Sequence, residues 1–190
     1  MFNVFKDIRK KLRNILVAAA AGALGISVVA QGVFTVQCIK PDGSLRWEAT
    51  AKNAATDVGL NKMLDSTFHD DASATWYIGL IRDDNYTALA AADTMASHAG
   101  WEEGDEYDEA TREVYTEAAA ASKSINNTGN EAEFTISGTE TFKGAFLVDE
   151  STISGSTETL FCTALFTEGD RAAVDGDTLK VGYTVTLAAA

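Results

Sequence analysis

AEFTISGTETFKGAFLV, residues 132–148, decides the fold. In its first half Ala132, Phe134 and Ile136 alternate with polar residues, the period-two pattern of a half-buried strand; Gly138 then separates it from a second run, ETFKGAFLV (140–148). Two more runs of the same kind follow, ETLFCTALF (158–166) and DTLKVGYTVTL (177–187), with glycine-containing turns between them. Short strands at this spacing predict a mainly β fold: an antiparallel β-sandwich or barrel-like domain with one or two short helices.

Toward the N-terminus the same pattern recurs. VFTVQCI (33–39) and LRWEATAK (45–52) read as a hairpin, because Pro41, Asp42 and Gly43 between them carry turn chemistry. TWYIGLI (75–81) is apolar almost throughout, which predicts a central strand. Between these lies NAATDVGLNKMLDSTF (53–68), where Ala54, Val58, Met63 and Leu64 form an imperfect helical stripe that Asn53 can cap. Trp47 and Trp76 are expected in the core or an interface.

Residues 82–117 read as a long loop region with no clear strand before REVY (112–115) and a possible short helix over 93–98. It includes the acidic run WEEGDEYDEATRE (101–113), read as solvated. Loops of this length inside a compact domain are usually functional or contact a partner. The interaction surface is therefore expected here, with Trp101 at a loop-mediated contact.

The first part of the chain is different. Phe5, Ile8, Leu12, Ile15 and Leu16 fall at helical spacing while Lys6, Lys10 and Arg13 lie on the other side, predicting a basic amphipathic helix over 4–20. An uncharged, alanine- and glycine-rich run continues to Ala30. It is short of the ~20 apolar residues that a membrane span needs. A secretory signal peptide remains a reading, because a basic start, an apolar middle and small residues before Gln31 are its ingredients. The favoured organisation is an N-terminal arm (1–31) followed by an acidic β domain (32–190), with Phe5, Ile8, Leu12, Ile15 and Leu16 as interface residues.

Charge supports that division. Five basic residues against Asp7 give the first fourteen residues +4, which leaves −17 for the rest of a chain whose formal net charge is −13. A body this acidic repels phosphate backbones, so direct nucleic-acid binding by the domain is not expected. Cys38 and Cys162 read as small buried hydrophobes in strands, although a bridge between them would close a long loop.

Catalytic and metal-binding patterns are not evident. Ser66, Ser73 and Ser97 lie in no nucleophile-elbow context, and His69 and His98 have no paired nucleophile at a characteristic spacing. Neither the acidic run nor Asp175 and Asp177 matches the twelve-residue calcium loop, and there is no phosphate loop, dinucleotide fingerprint or paired CxxC. No enzymatic activity, cofactor or metal is expected.

Four stretches carry a likeness to known proteins: LRWEATAKNAATDVGLNKMLDSTF (45–68), TWYIGLI (75–81), YTALAAADTMASHAGWEE (86–103) and TFKGAFLV (141–148). Together they resemble a family of tailed-bacteriophage virion proteins, over residues 33–187. The resemblance implies a capsid-associated structural protein, first of all a head decoration or cement protein that stabilises the capsid through inter-subunit contacts. Other virion proteins, in particular the major capsid protein, and further copies of the chain would be its partners. The particle, assembled in the host cytoplasm, would be its location. A tail or head-fibre structural protein is the alternative within the virion. Outside it, the alternative is an exported acidic binding module with a cleaved signal peptide.

Overall fold

A computed structural model describes residues 28–69, 72 and 74–189, and the structural statements below concern those residues. The expected helix over 4–20, with Phe5, Ile8, Leu12, Ile15 and Leu16, lies outside them, as does Ser73. The chain divides into two compact units, residues 31–186 and residues 1–30 with 187–190. The larger unit holds the elements that follow, apart from the outer ends of two strands.

The fold is mainly β, and its strands join into one open antiparallel sheet rather than a closed ring. β1 (Val28–Ile39) and β2 (Leu45–Ala55) form the expected hairpin, with Phe34 opposite Ala51 and Cys38 opposite Trp47. Its turn is closed by Gly43 N donating to Lys40 O at 2.8 Å and by Ser44 donating twice to Asp42 Oδ1. Gly43 sits at φ +81°, the left-handed region that favours glycine.

One wing of the sheet contains β3 (Tyr77–Arg82), β8 (Glu140–Val148) and β9 (Leu160–Leu165), flanked by the short strands β4 (Glu102–Gly104), β5 (Glu113–Val114) and β10 (Arg171–Ala173). The other contains β1, β2, β11 (Thr178–Ala189), β6 (Ser124–Asn126) and β7 (Ala132–Thr135). β2 belongs to both wings. Most of it pairs with β1, but Asn53, Ala54 and Ala55 pair with Ala164, Thr163 and Cys162 of β9.

Both wings contribute alternate side chains to one core. Phe34, Val36, Phe134, Leu179, Val181 and Tyr183 come from one wing, and Ile78, Leu80, Phe142, Leu147 and Cys162 from the other. Phe34 stacks on Tyr183 with ring centroids 4.2 Å apart. Trp47 and Trp76 are half-buried against this core, Trp76 edge-on to Phe161 at 5.2 Å. Cys38 and Cys162 are both buried free thiols, so the Cys38–Cys162 bridge is not present. Burial pushes the Cys38 thiol up to about 12 and Cys162 up to about 11, which makes both unreactive at neutral pH.

β3 and β8 are covered on their second face as well, which accounts for the nearly unbroken apolar character of TWYIGLI. Ile81, Phe146, Val148 and Leu160 point into a second cluster that Met95 and Trp101 complete from the segment over 83–101. This corrects two expectations. Residues 93–98 form a turn closed by reciprocal Thr94–Ser97 backbone bonds instead of a helix. Met95 and Trp101 of the long loop are buried inside the molecule.

The helix is shorter than the stripe suggested. α1 spans Asp57–Phe68, and its N-cap is Thr56, whose Oγ1 accepts from Gly59 N at 3.0 Å; Asn53 is a β2 residue and donates to Tyr183 OH. Thr56 also donates to Leu160 O, fixing the helix start against β9. Gly59 is the one buried residue of α1, and a Cβ there would come within 2.2 Å of Phe161 O. The helix therefore docks through a side-chain-free position. Met63 and Leu64, two residues of the expected stripe, are 36% and 53% exposed.

Candidate functional site

The acidic run is not a uniformly solvated loop. Its Glu103 is buried in β4 and grips Arg112 through two bonds, Nε to Oε1 at 2.7 Å and Nη2 to Oε2 at 2.9 Å. Arg112 Nη1 reaches Glu158 Oε1 at 3.1 Å and Glu150 O at 2.9 Å, and the guanidinium lies 5.4 Å above the Phe146 ring. Ser154 N donates to Glu103 Oε2 at 2.8 Å. Three separate segments are thus fastened to one buried cation, which holds the loop layer on the sheet.

Beside this cluster is a cleft of about 250 Å³, bordered by Arg82, Met95, His98, Glu102, Asp105 and Ser154. Its charges are matched internally. Arg82 donates from Nε to Glu102 Oε2 at 3.0 Å and lies 3.5 Å from Asp105. The Arg82 hydrogen bond holds the Glu102 carboxyl below the usual range. His98 is stacked on Trp101 at 4.2 Å with Nδ1 3.0 Å from Trp101 O, and His69 lies 3.6 Å from Asp65. Among the described residues no three His, Cys, Asp or Glu side chains are grouped to hold a metal ion.

Glu140, at the start of β8, makes no ion pair of this kind among the described residues. It is 9% exposed, its Oε2 has no hydrogen-bond partner, and burial pushes its carboxyl up to about 7, with Arg82 opposing. Because the folded state then holds this proton more tightly than the unfolded chain, the contribution is complete below about pH 4.5 and is lost as pH rises through about 7. Glu140→Gln should stabilise the protein by about 1–3 kcal/mol at pH 8 and leave it unchanged at pH 4, measured by urea unfolding at both pH values.

The candidate interaction surface is on the helix. Leu60, Leu64 and Phe68 recur at i, i+4 and i+8, so they share one face of α1, and they are 42%, 53% and 82% exposed. The neighbouring groove, about 300 Å³, runs between Met63 and Thr67 of the helix and Trp76, Tyr115, Ile125 and Val185. Scattered exposed apolar residues are ordinary, but an aligned set beside a groove is the feature that makes this face the candidate surface.

Trp101, expected at an exposed contact, is 1% exposed. Its ring packs 5.2 Å from Phe146 and its Nε1 donates to Asp93 Oδ2 at 3.1 Å. Position next to an acidic run suggested exposure, but the outer face of β8 supplies an apolar seat. The helix face was missed because the stripe of Ala54, Val58, Met63 and Leu64 is not the set that the helix leaves exposed, Leu60, Leu64 and Phe68. Gly59, opposite that face, was the sequence signal of the side that docks.

Compared with protein-family models, with curated proteins and with solved structures, the chain matches none. No helix among the described residues is long and apolar enough to cross a membrane.

Proposed function

We propose that this protein is a structural, non-enzymatic component of a bacteriophage particle: a head decoration or cement protein assembled in the host cytoplasm. The resemblance of residues 45–68, 75–81, 86–103 and 141–148 to virion proteins carries this reading. The sheet would act as a sandwich whose two wings enclose one core, and the first thirty residues as an assembly arm. Two features support a structural role. Arg82 and Arg112 are engaged by Glu102, Asp105, Glu103 and Glu158 in ion pairs, and an apolar helix face is left outward.

Decoration proteins add buried area across the joints of a shell. At ~25 cal/mol per Å² of apolar surface, a short amphipathic arm contributes several kcal/mol per copy before ordering costs. Copies of the chain and the major capsid protein are the partners in this reading.

Mass spectrometry of purified particles should find the chain, beginning at Met1, in many copies per particle. Its absence from particles overturns the reading. A mature chain beginning at Gln31 would instead identify an exported module, whose proposed Cys38–Cys162 bridge the free thiols already disfavour.

A further inference from the structure

We propose that the outer face of α1 receives the basic amphipathic segment, residues 4–20, of a second copy of this chain. The inference rests on reading that segment as an assembly arm, and it names the arm's receptor. The receiving surface has the dimensions of a helix seat: Leu60, Leu64 and Phe68 line up along about two turns, and the groove beside Met63 offers room for a bulky side chain.

Charge selects the occupant. Asp57, at the N-terminal end of the stripe, and Asp65, beside it, are both exposed. They belong to a body carrying −17. Two such faces brought together would oppose like charges, so a face-to-face pair is disfavoured. Residues 4–20 have the complementary composition: Phe5, Ile8, Leu12, Ile15 and Leu16 at helical spacing, with Lys6, Lys10 and Arg13 on the other side. Apolar residues would meet apolar residues while lysine and arginine border the aspartates. Such a contact is head-to-tail, each copy giving an arm and receiving one, and can therefore propagate around a ring or along a shell.

The geometry of the contact makes complementation the decisive experiment. The full-length chain should self-associate in sedimentation velocity, several-fold more weakly at 0.5 M than at 0.05 M salt because the charge pairs are screened. A face variant, Leu60→Glu with Leu64→Glu, and an arm variant, Phe5→Glu with Leu12→Glu, should each associate at least tenfold more weakly. Circular dichroism and the urea midpoint should be unchanged, since both helix positions are exposed; Phe68→Glu, at the most exposed position, provides a single-site version. An equimolar mixture of face and arm variants should regain a one-to-one dimer, because one copy keeps its arm and the other its face.

A mixture that stays monomeric, a face variant that associates like the parent, or a parent chain that is monomeric throughout would each overturn the proposal. Association lost in the face variant and kept in the arm variant would identify a face-to-face pair instead. Failure of the virion reading is read separately. If the chain is absent from particles that reading falls, whereas a chain present in particles with no complementation removes only this contact.

Discussion

Replacing Arg112 with methionine should lower stability by about 3–5 kcal/mol, the cost of removing one partner from a buried ion pair. The Arg112 side chain is fully buried, and Glu103 and Glu158 beside it are 4% and 1% exposed. Without the guanidinium two carboxylates would remain in a low-dielectric pocket with no cation between them. Urea unfolding at pH 7 measures the loss; against a total stability of roughly 5–15 kcal/mol it is a large fraction. Adding Glu103→Gln and Glu158→Gln to Arg112→Met removes the stranded charges and should recover at least half of it. A single variant that unfolds at the parent midpoint would mean the cluster is not closed to water.

Trp101→Ala should be comparably damaging, by about 3–5 kcal/mol, the usual cost of truncating a large aromatic in a core. The indole fills the space between the loop layer and Phe146, with His98 stacked on its other side. The same urea titration checks it, and a loss below 1 kcal/mol would place the ring outside the core. This also separates the two roles considered for Trp101. A folding defect is expected in the isolated chain, before any partner is added.

The sequence was legible where one residue's neighbours along the chain determine its environment. Alternation in VFTVQCI, AEFTISG and DTLKVGYTVTL marks strands because period two reports burial of one face, and Pro41-Asp42-Gly43 marks a turn through local backbone preference. β4, β6 and β10 were not legible. Each has only three residues and exists because a neighbouring strand offers an edge, as β8 does for Arg171–Ala173.

The same limit governs the polar side chains. Glu103 and Arg112 are nine positions apart, and Glu158 is forty-six from Arg112. No local rule distinguishes this glutamate from its solvated neighbours; only the fold that brings the 150–158 segment over β4 does so. The helix illustrates the converse. Its existence was readable, but its orientation depended on Gly59 meeting the Phe161 backbone, a contact made between distant parts of the chain.

β2 has a mechanical consequence. The wings share a covalent strand, so a force drawing one away from the other is transmitted along backbone bonds into two hydrogen-bonded ladders. Asn53–Ala55 loads the ladder to β9, while the rest of β2 loads the longer ladder to β1. Near the crossover, Thr167 N donates to Thr50 O at 2.7 Å and Glu168 accepts from Thr50 N at 2.9 Å, adding two fastenings against shear. Tension between the wings is therefore expected to open the three-pair ladder to β9 before the seven-pair hairpin of β1 and β2.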